Sequence, residues 1–343
     1  MLMLTFKPHQ VTSKFLKILN DRTRDVLEKR YGLTNGGETH TLESIGALYG
    51  ITRERVRQIE NHGVQTIQRS KLYDEHAPIF DELEVIIRNH GLVIDESHLL
   101  ETIASRKEHR SHILLLLTIG KQFARTKENQ HFTDRWHIDT SVAAAVEDAL
   151  HVLANSVEMD DLVAENELFA RFKRSLAKVP GTYHTNEHLD RWLRLTKRLD
   201  RNPLGEWGLV ESSNVRTKGV RDYAYLIVKR HGSPMHFREV AQAIEETFSR
   251  AAHIATTHNE LIKDDRFVLV GRGLYALTEW GYTPGVVKDV ILAVLEKHGP
   301  LTKTEIIDHV RKERYVKDNT IVVNLQDLNL FAKTSDGKYK SAL

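Results

Sequence analysis

Arg53, Glu54, Arg57 and Gln58 are the residues of this chain best suited to chemistry. On a helix advancing 100° per residue they share one arc of about 140°. Val56, Ile59, Gly63 and Ile67 fall on the opposite side. One face therefore packs, and the other offers guanidinium forks, a carboxylate and an amide. These groups match the edges of base pairs in the major groove: arginine on guanine, glutamate on cytosine, glutamine on adenine. Arg55 and Asn61 on the same stretch extend the candidate DNA-binding set. A solvated polar helix face is the plain alternative, and the surrounding elements decide against it. Thr52 is a good N-cap, and Tyr49-Gly50-Ile51 places a glycine where a sharp bend is needed. Residues 41–60 thus read as helix, tight turn and second helix. That arrangement puts the start of the second helix into the major groove.

The segment TRERVRQIE follows TLESIGALYGI, with TRDVLEKRYGL at 23–33 before both. Together they resemble region four of bacterial primary-type RNA polymerase sigma factors, over about residues 15–70. The resemblance implies reading of the upstream (minus thirty-five) promoter element and docking on the flap of the polymerase β subunit. It assigns base reading to Arg53, Glu54 and Gln58, and a groove or phosphate contact to Arg57. Thr41 and Leu42 match the phosphate-clamping start of the first helix. The sequence departs from the family at Asn61-His62-Gly63-Val64-Gln65-Thr66, where an alanine- and Lys/Arg-rich turn is usual. The basic positions that meet activators are mostly absent there. Gly63 alone should weaken the helix by about 1 kcal/mol relative to alanine. The motif starts close to residue 15, and no aromatic-rich promoter-melting segment is evident. The chain is therefore expected not to open promoters alone.

Composition sets the wider frame. A chain of 343 residues, 41% hydrophobic and 28% charged, is expected to hold several globular domains. No apolar run reaches the roughly 18 residues of a membrane span. The absence of cysteine excludes disulfides and thiolate metal sites and suits a cytosol. Cytoplasmic, nucleoid-associated localisation is expected, with no membrane partner. Net charge is +2 but uneven: residues 1–72 hold 12 Lys/Arg against 7 Asp/Glu, leaving −3 on the remainder. The positive field sits where a DNA contact would need it.

Beyond residue 75 a unit of about 60–70 residues repeats. Helices end in Asn89-His90-Gly91, Arg230-His231-Gly232 and Lys297-His298-Gly299, each followed by a short strand, two helices and a hairpin. Hairpins are expected at 131–138, 266–277 and 330–343, and short linkers at 72–78, 138–141, 212–219 and 281–285. Three helices and a β-hairpin make a winged helix. The reading is a mainly α chain: 1–75 a helix-turn-helix, 76–140 a winged-helix-like module, 141–216 a divergent one, 217–283 the clearest, and 284–343 the last. The third, VRDYAYLIVKRHGSPMHFREVAQAI through RFVLVGRGLYALTEWGY, resembles the HARE-HTH family, which includes the N-terminal domain of the RNA polymerase delta subunit. Its expected core includes Tyr225, Val228, Phe237, Val240, Ile244, Leu261, Phe267, Leu269, Tyr275 and Leu277. Arg250, His253, Thr257, His258 and Lys263 are candidate DNA contacts on its third helix, as are Lys317, Asn319, Thr320 and Asn324 on the last.

His184 and His188 have helical i,i+4 spacing, but no third ligand accompanies them, so no metal is expected. No phosphate loop, nucleophile elbow or zinc-hydrolase helix appears. Neither cofactor nor catalytic residue is expected, and the chain does not read as an enzyme. The leading function is a sequence-specific, double-stranded DNA-binding transcription factor that engages RNA polymerase core. One alternative is a polymerase accessory subunit or sigma competitor that holds the β flap without reading DNA. The other is a targeting subunit of a DNA modification or restriction system.

Overall fold

The computed structural model describes residues 4–34, 37–104 and 107–342, with backbone alone for 107 and 108. The chain is mainly α with small antiparallel sheets, and it divides into two compact units, Met1–Asp200 and Arg201–Leu343. Among the described residues no helix is long and apolar enough to cross a membrane.

The first unit begins with α1 (Pro8–Lys17), α2 (Asp21–Tyr31), α3 (Leu42–Tyr49), α4 (Arg53–Gln68) and α5 (Lys71–Glu75). Side-chain caps start four of them. Asn20 accepts from the Thr23 amide, Thr41 from Ser44, Thr52 from Arg55 and Ser70 from Tyr73. The capped helix α5 occupies most of the stretch 72–78, where a linker was expected.

Next come α6 (Ala77–Asn89), β1 (Val93–Asp95), α7 (Glu96–Ile103), α8 (Lys107–Ile119), β2 (Ala124–Thr126) and β3 (Arg135–His137). The strands form an antiparallel sheet in the order β1-β3-β2, with Ile94 and Arg125 both opposite Trp136. The hairpin expected at 131–138 is in fact one strand of that sheet, and its partner lies at 124–126. Period-2 alternation found the strand, but the long loop between the two hid the true partner. The unit continues with α9 (Thr140–Asn155), α10 (Glu165–Ser175), α11 (Asn186–Leu193) and β4 (Leu199–Arg201).

Two apolar clusters hold the part of this unit that carries the helix-turn-helix. A small one joins Val26, Ile45 and Val56 inside the helix-turn-helix, with Leu42, Tyr49, Ile51 and Ile59 at its edge. A large one runs from Val11, Phe15 and Leu27 through Ile67 to Phe80, Leu83, Leu116 and Trp136. Helix α8 lies at its centre. Ile113, Leu115, Leu116, Leu117 and Ile119 are all fully buried, so the helix is covered on most sides. Helices α1, α2 and α4 pack on it. Residues 1–75 therefore share their main core with the module that follows.

Burial in this unit also predicts its response to acid. His90, His98, His112, His137 and His188 all have pKa values held below the usual 6.5, with desolvation the largest cause in each. Folding therefore favours their neutral forms. Below pH 6.5 the unfolded chain takes up protons that the folded chain refuses, so stability falls as pH drops towards the depressed values. Above that point this contribution is fully present. The urea midpoint should thus be lower at pH 5 than at pH 7.5. An unchanged or higher midpoint at pH 5 would contradict the burial of these rings.

The second unit contains β5 (Trp207–Leu209), α12 (Val220–His231), β6 (Met235–His236), α13 (Phe237–Phe248), α14 (Ile254–Lys263), β7 (Phe267–Gly271) and β8 (Leu274–Leu277). It ends with α15 (Val287–His298), α16 (Lys303–Glu313), α17 (Asp318–Asn324), β9 (Phe331–Lys333) and β10 (Tyr339–Ser341). Strands β6-β8-β7 form one antiparallel sheet and β10-β9 another, with Leu301 bridged to Tyr339. Arg314, 3% exposed, ties the two bundles together. Its guanidinium donates to the carbonyls of Leu269, Thr283 and Gly285.

Most of the expected core of residues 217–283 is buried: Tyr225, Val228, Val240, Ile244, Leu261, Phe267, Tyr275 and Leu277. Two members are not. Phe237 is half-buried at the start of α13, stacked on His258 with ring centroids 4.2 Å apart. Leu269 is 46% exposed. It sits where the β7–β8 register shifts, beside Gly271 at the tip of the hairpin.

Candidate nucleic-acid interface

Helix α4 presents its two faces as the residue pattern demands. Val56, Gly63 and Ile67 are buried and Ile59 is half-buried. Arg53, Glu54, Arg55, Arg57, Gln58 and Asn61 are all exposed. They start at the capped N-terminus, and the first turn is the part of a recognition helix that reaches base edges. Thr41 is exposed at the N-cap of α3, and its hydroxyl oxygen accepts from the Ser44 amide. Leu42 differs from the rest. It is half-buried against the small core, so its side chain helps to anchor α3.

Two glycines set the position of α4. Gly46, on α3, is buried against the turn. A Cβ there would lie 2.7 Å from the Ile51 carbonyl oxygen. Gly63, on α4, faces α2, and a Cβ there would lie 2.7 Å from Thr23 Cγ2 and 3.1 Å from Leu27 Cδ1. The glycine that looked only like a weak point in the helix is therefore a crossing point where two helices approach closely. Glu60, half-buried further along α4, has an ion pair to Arg30 at 3.8 Å. Gln68 Nε2 donates to the Ile119 carbonyl on α8 at 2.8 Å. The Tyr49 hydroxyl donates to Asp25, which ties α3 to α2 and pushes the phenol pKa up to about 12.

The polar groups of the exposed face are bonded to one another. Arg57 Nε and Nη2 donate to the two Glu54 oxygens at 2.8 and 2.7 Å. Gln58 Nε2 lies 3.5 Å from Glu54 Oε1, and Arg55 Nη1 donates to Gln58 Oε1 at 3.1 Å. The hydrogen bonds from Arg57 hold the Glu54 carboxyl below its usual range, and Glu54 holds the Arg57 guanidinium above its own. Arg53 Nη1 pairs with Glu43 Oε1 on α3 at 2.8 Å. The sequence reading missed Glu43, because its partner lies ten positions away across a turn rather than at helical spacing. It missed Arg22 too, which sits over the Tyr49 ring at 5.4 Å.

The secondary candidates fare unevenly. Thr257 is fully buried and offers nothing to a ligand. Arg250 lies over the Tyr223 ring at 4.9 Å, and His258 is stacked on Phe237. His253 and Lys263 are exposed, as are Lys317, Asn319 and Thr320, while Asn324 donates to the Thr320 carbonyl at 2.7 Å. His184 and His188 are both engaged locally, with the Val179 carbonyl and the Thr185 hydroxyl. Among the described residues no group of three His, Cys, Asp or Glu is placed to hold a metal ion.

Residues 15–69 match the family described as Sigma-70, region 4. The RNA polymerase principal sigma factor HrdD of Streptomyces griseus is 45% identical over 51 residues, 15% of this chain and 15% of that protein. The chain thus spans about 15% of the length of the curated relative it matches. The matched segment contains α2, α3, α4 and the end of α1, with every exposed group of the α4 face. The N-terminal part of this chain, residues 15–69, is a Sigma-70 region 4 domain in helix-turn-helix form.

Proposed function

We propose that this protein is a sequence-specific DNA-binding transcription factor. It reads a minus-thirty-five-like promoter element in double-stranded DNA through α4 and associates with RNA polymerase. It acts by binding, without catalysis and without melting the promoter. Arg53, Glu54 and Gln58 are the base readers, Arg57 and Arg55 serve the groove or the phosphates, and Asn61 lies one turn further on. Thr41 and the backbone at Leu42 meet a phosphate. One observation carries the reading: a region 4 match whose candidate readers all stand exposed on the capped first turns of one helix.

The later modules, 76–140, 141–216, 217–283 and 284–343, are in this reading winged helices used for scaffolding and protein contact. Burial supports this for the first two. Helix α8 is enclosed by α1, α2 and α4, and α11 is seated on the end of α6, so neither third helix is free to enter a groove. Any docking on the β flap must use a surface of residues 15–69 outside the apolar face that α6 and α8 already cover. In the test, the full chain selects duplexes from a random pool, and RNA polymerase subunits are sought among proteins purified with it. Enrichment of one short motif together with core polymerase is expected. Polymerase without any motif would favour a non-reading accessory subunit, and a nuclease or methyltransferase in place of polymerase would favour a targeting subunit.

A further inference from the structure

Glu43 poses a problem for a DNA-binding surface. It stands in the first turn of α3, beside the proposed phosphate contact at Thr41 and Leu42. A carboxylate there repels the phosphate backbone. Its partner Arg53 is on the other helix of the motif, at 2.8 Å, and the two side chains are 60% and 68% exposed. An ion pair so open to water adds little to stability, so folding does not account for it.

The pair does control where the Arg53 guanidinium points. A free arginine on such a surface is drawn to the nearest phosphate, a contact that carries no sequence information. An arginine held by a carboxylate leaves that partner only for an acceptor set of comparable quality, and guanine offers two acceptors in the right geometry. Across the face, Arg53 is held by Glu43 and Arg57 by Glu54, while Arg55 donates to the neutral Gln58.

We infer that Glu43 is a specificity-determining positioning residue, holding the Arg53 fork for a base edge and away from the phosphates. The inference rests on the base-reading function proposed above. Glu43→Gln keeps the size of the side chain and removes the charge. The full-length variant should melt at the same temperature as the parent. Its affinity for arbitrary duplex should rise, and log K against log salt should steepen by about 0.9 as the freed arginine takes one phosphate. Selectivity for the preferred site over arbitrary duplex should fall roughly three- to tenfold, part of what one bidentate base contact provides. In an Arg53→Ala background the same change should leave selectivity unaltered.

Three results would overturn the inference. If Glu43→Gln keeps both selectivity and salt slope while Arg53→Ala loses selectivity, base reading stands and the role of Glu43 falls. If Glu43→Gln lowers the melting temperature and weakens binding equally on every duplex, Glu43 supports the fold and does not position Arg53. If the unaltered protein shows no sequence preference, the inference and the reading beneath it fall together.

Discussion

Trp192→Ala is expected to destabilise the first unit by about 3–5 kcal/mol, the usual cost of deleting a large buried aromatic. The indole is fully buried, and its Nε1 donates to the Gly91 carbonyl at 3.2 Å. It fits against the chain only because residue 91 is glycine. Gly91 has φ +93°, and a Cβ there would lie 2.8 Å from the indole nitrogen. Arg191 Nη1 donates to the Asn89 carbonyl at 2.8 Å beside it. Removing the ring leaves a cavity between α11 and the end of α6 and an unpaired carbonyl. Chemical denaturation should show a lower midpoint. A change below about 1 kcal/mol would mean that the site collapses freely or that α11 is not seated there.

Gly46→Ala should act on the DNA-reading surface as well as on stability. The added Cβ meets a backbone carbonyl, Ile51 O, at 2.7 Å, and that carbonyl belongs to the turn that aims α4. No side-chain rotation relieves the clash, so the turn must move. Overpacking of this kind costs roughly 1–3 kcal/mol. Alanine's better helix propensity, worth up to about 1 kcal/mol, offsets only part of it. Because α4 shifts as a body, affinity should fall on every duplex while the pattern of base preference is kept. Full affinity in Gly46→Ala would show that the turn absorbs the methyl without moving the helix.

The helix-turn-helix was legible because its signals are local. A cap at Thr52, a glycine at 50, one polar arc and one apolar arc define two helices and their surfaces without reference to the rest of the chain. The hairpin at 266–277 was legible for the same reason, as alternating strands around Arg272-Gly273. What escaped depends on distant parts of the chain. Nothing within residues 107–119 says that α8 will lie under α1, α2 and α4. A run of leucines is compatible with any buried helix. The pairing of Arg53 with Glu43 and the crossing at Gly63 also need the tertiary fold. Phe237 and Leu269 carried the right periodicity for a core but sit at the rim of their module, where an element starts or a register shifts. Residues 135–137 carried a strand pattern, yet their partner lay beyond a loop of eight residues.

Whether α4 reads bases is decided by Arg53→Ala in the full-length chain. Affinity is measured for the preferred duplex and for a set with every single base-pair change, at two salt concentrations. A loss of about 1–3 kcal/mol is expected on the preferred site, with discrimination relaxed at one or two adjacent positions and kept at the others. An equal loss on every duplex, with the salt slope reduced by about 0.9, would make Arg53 a phosphate contact and rule out base reading by this side chain.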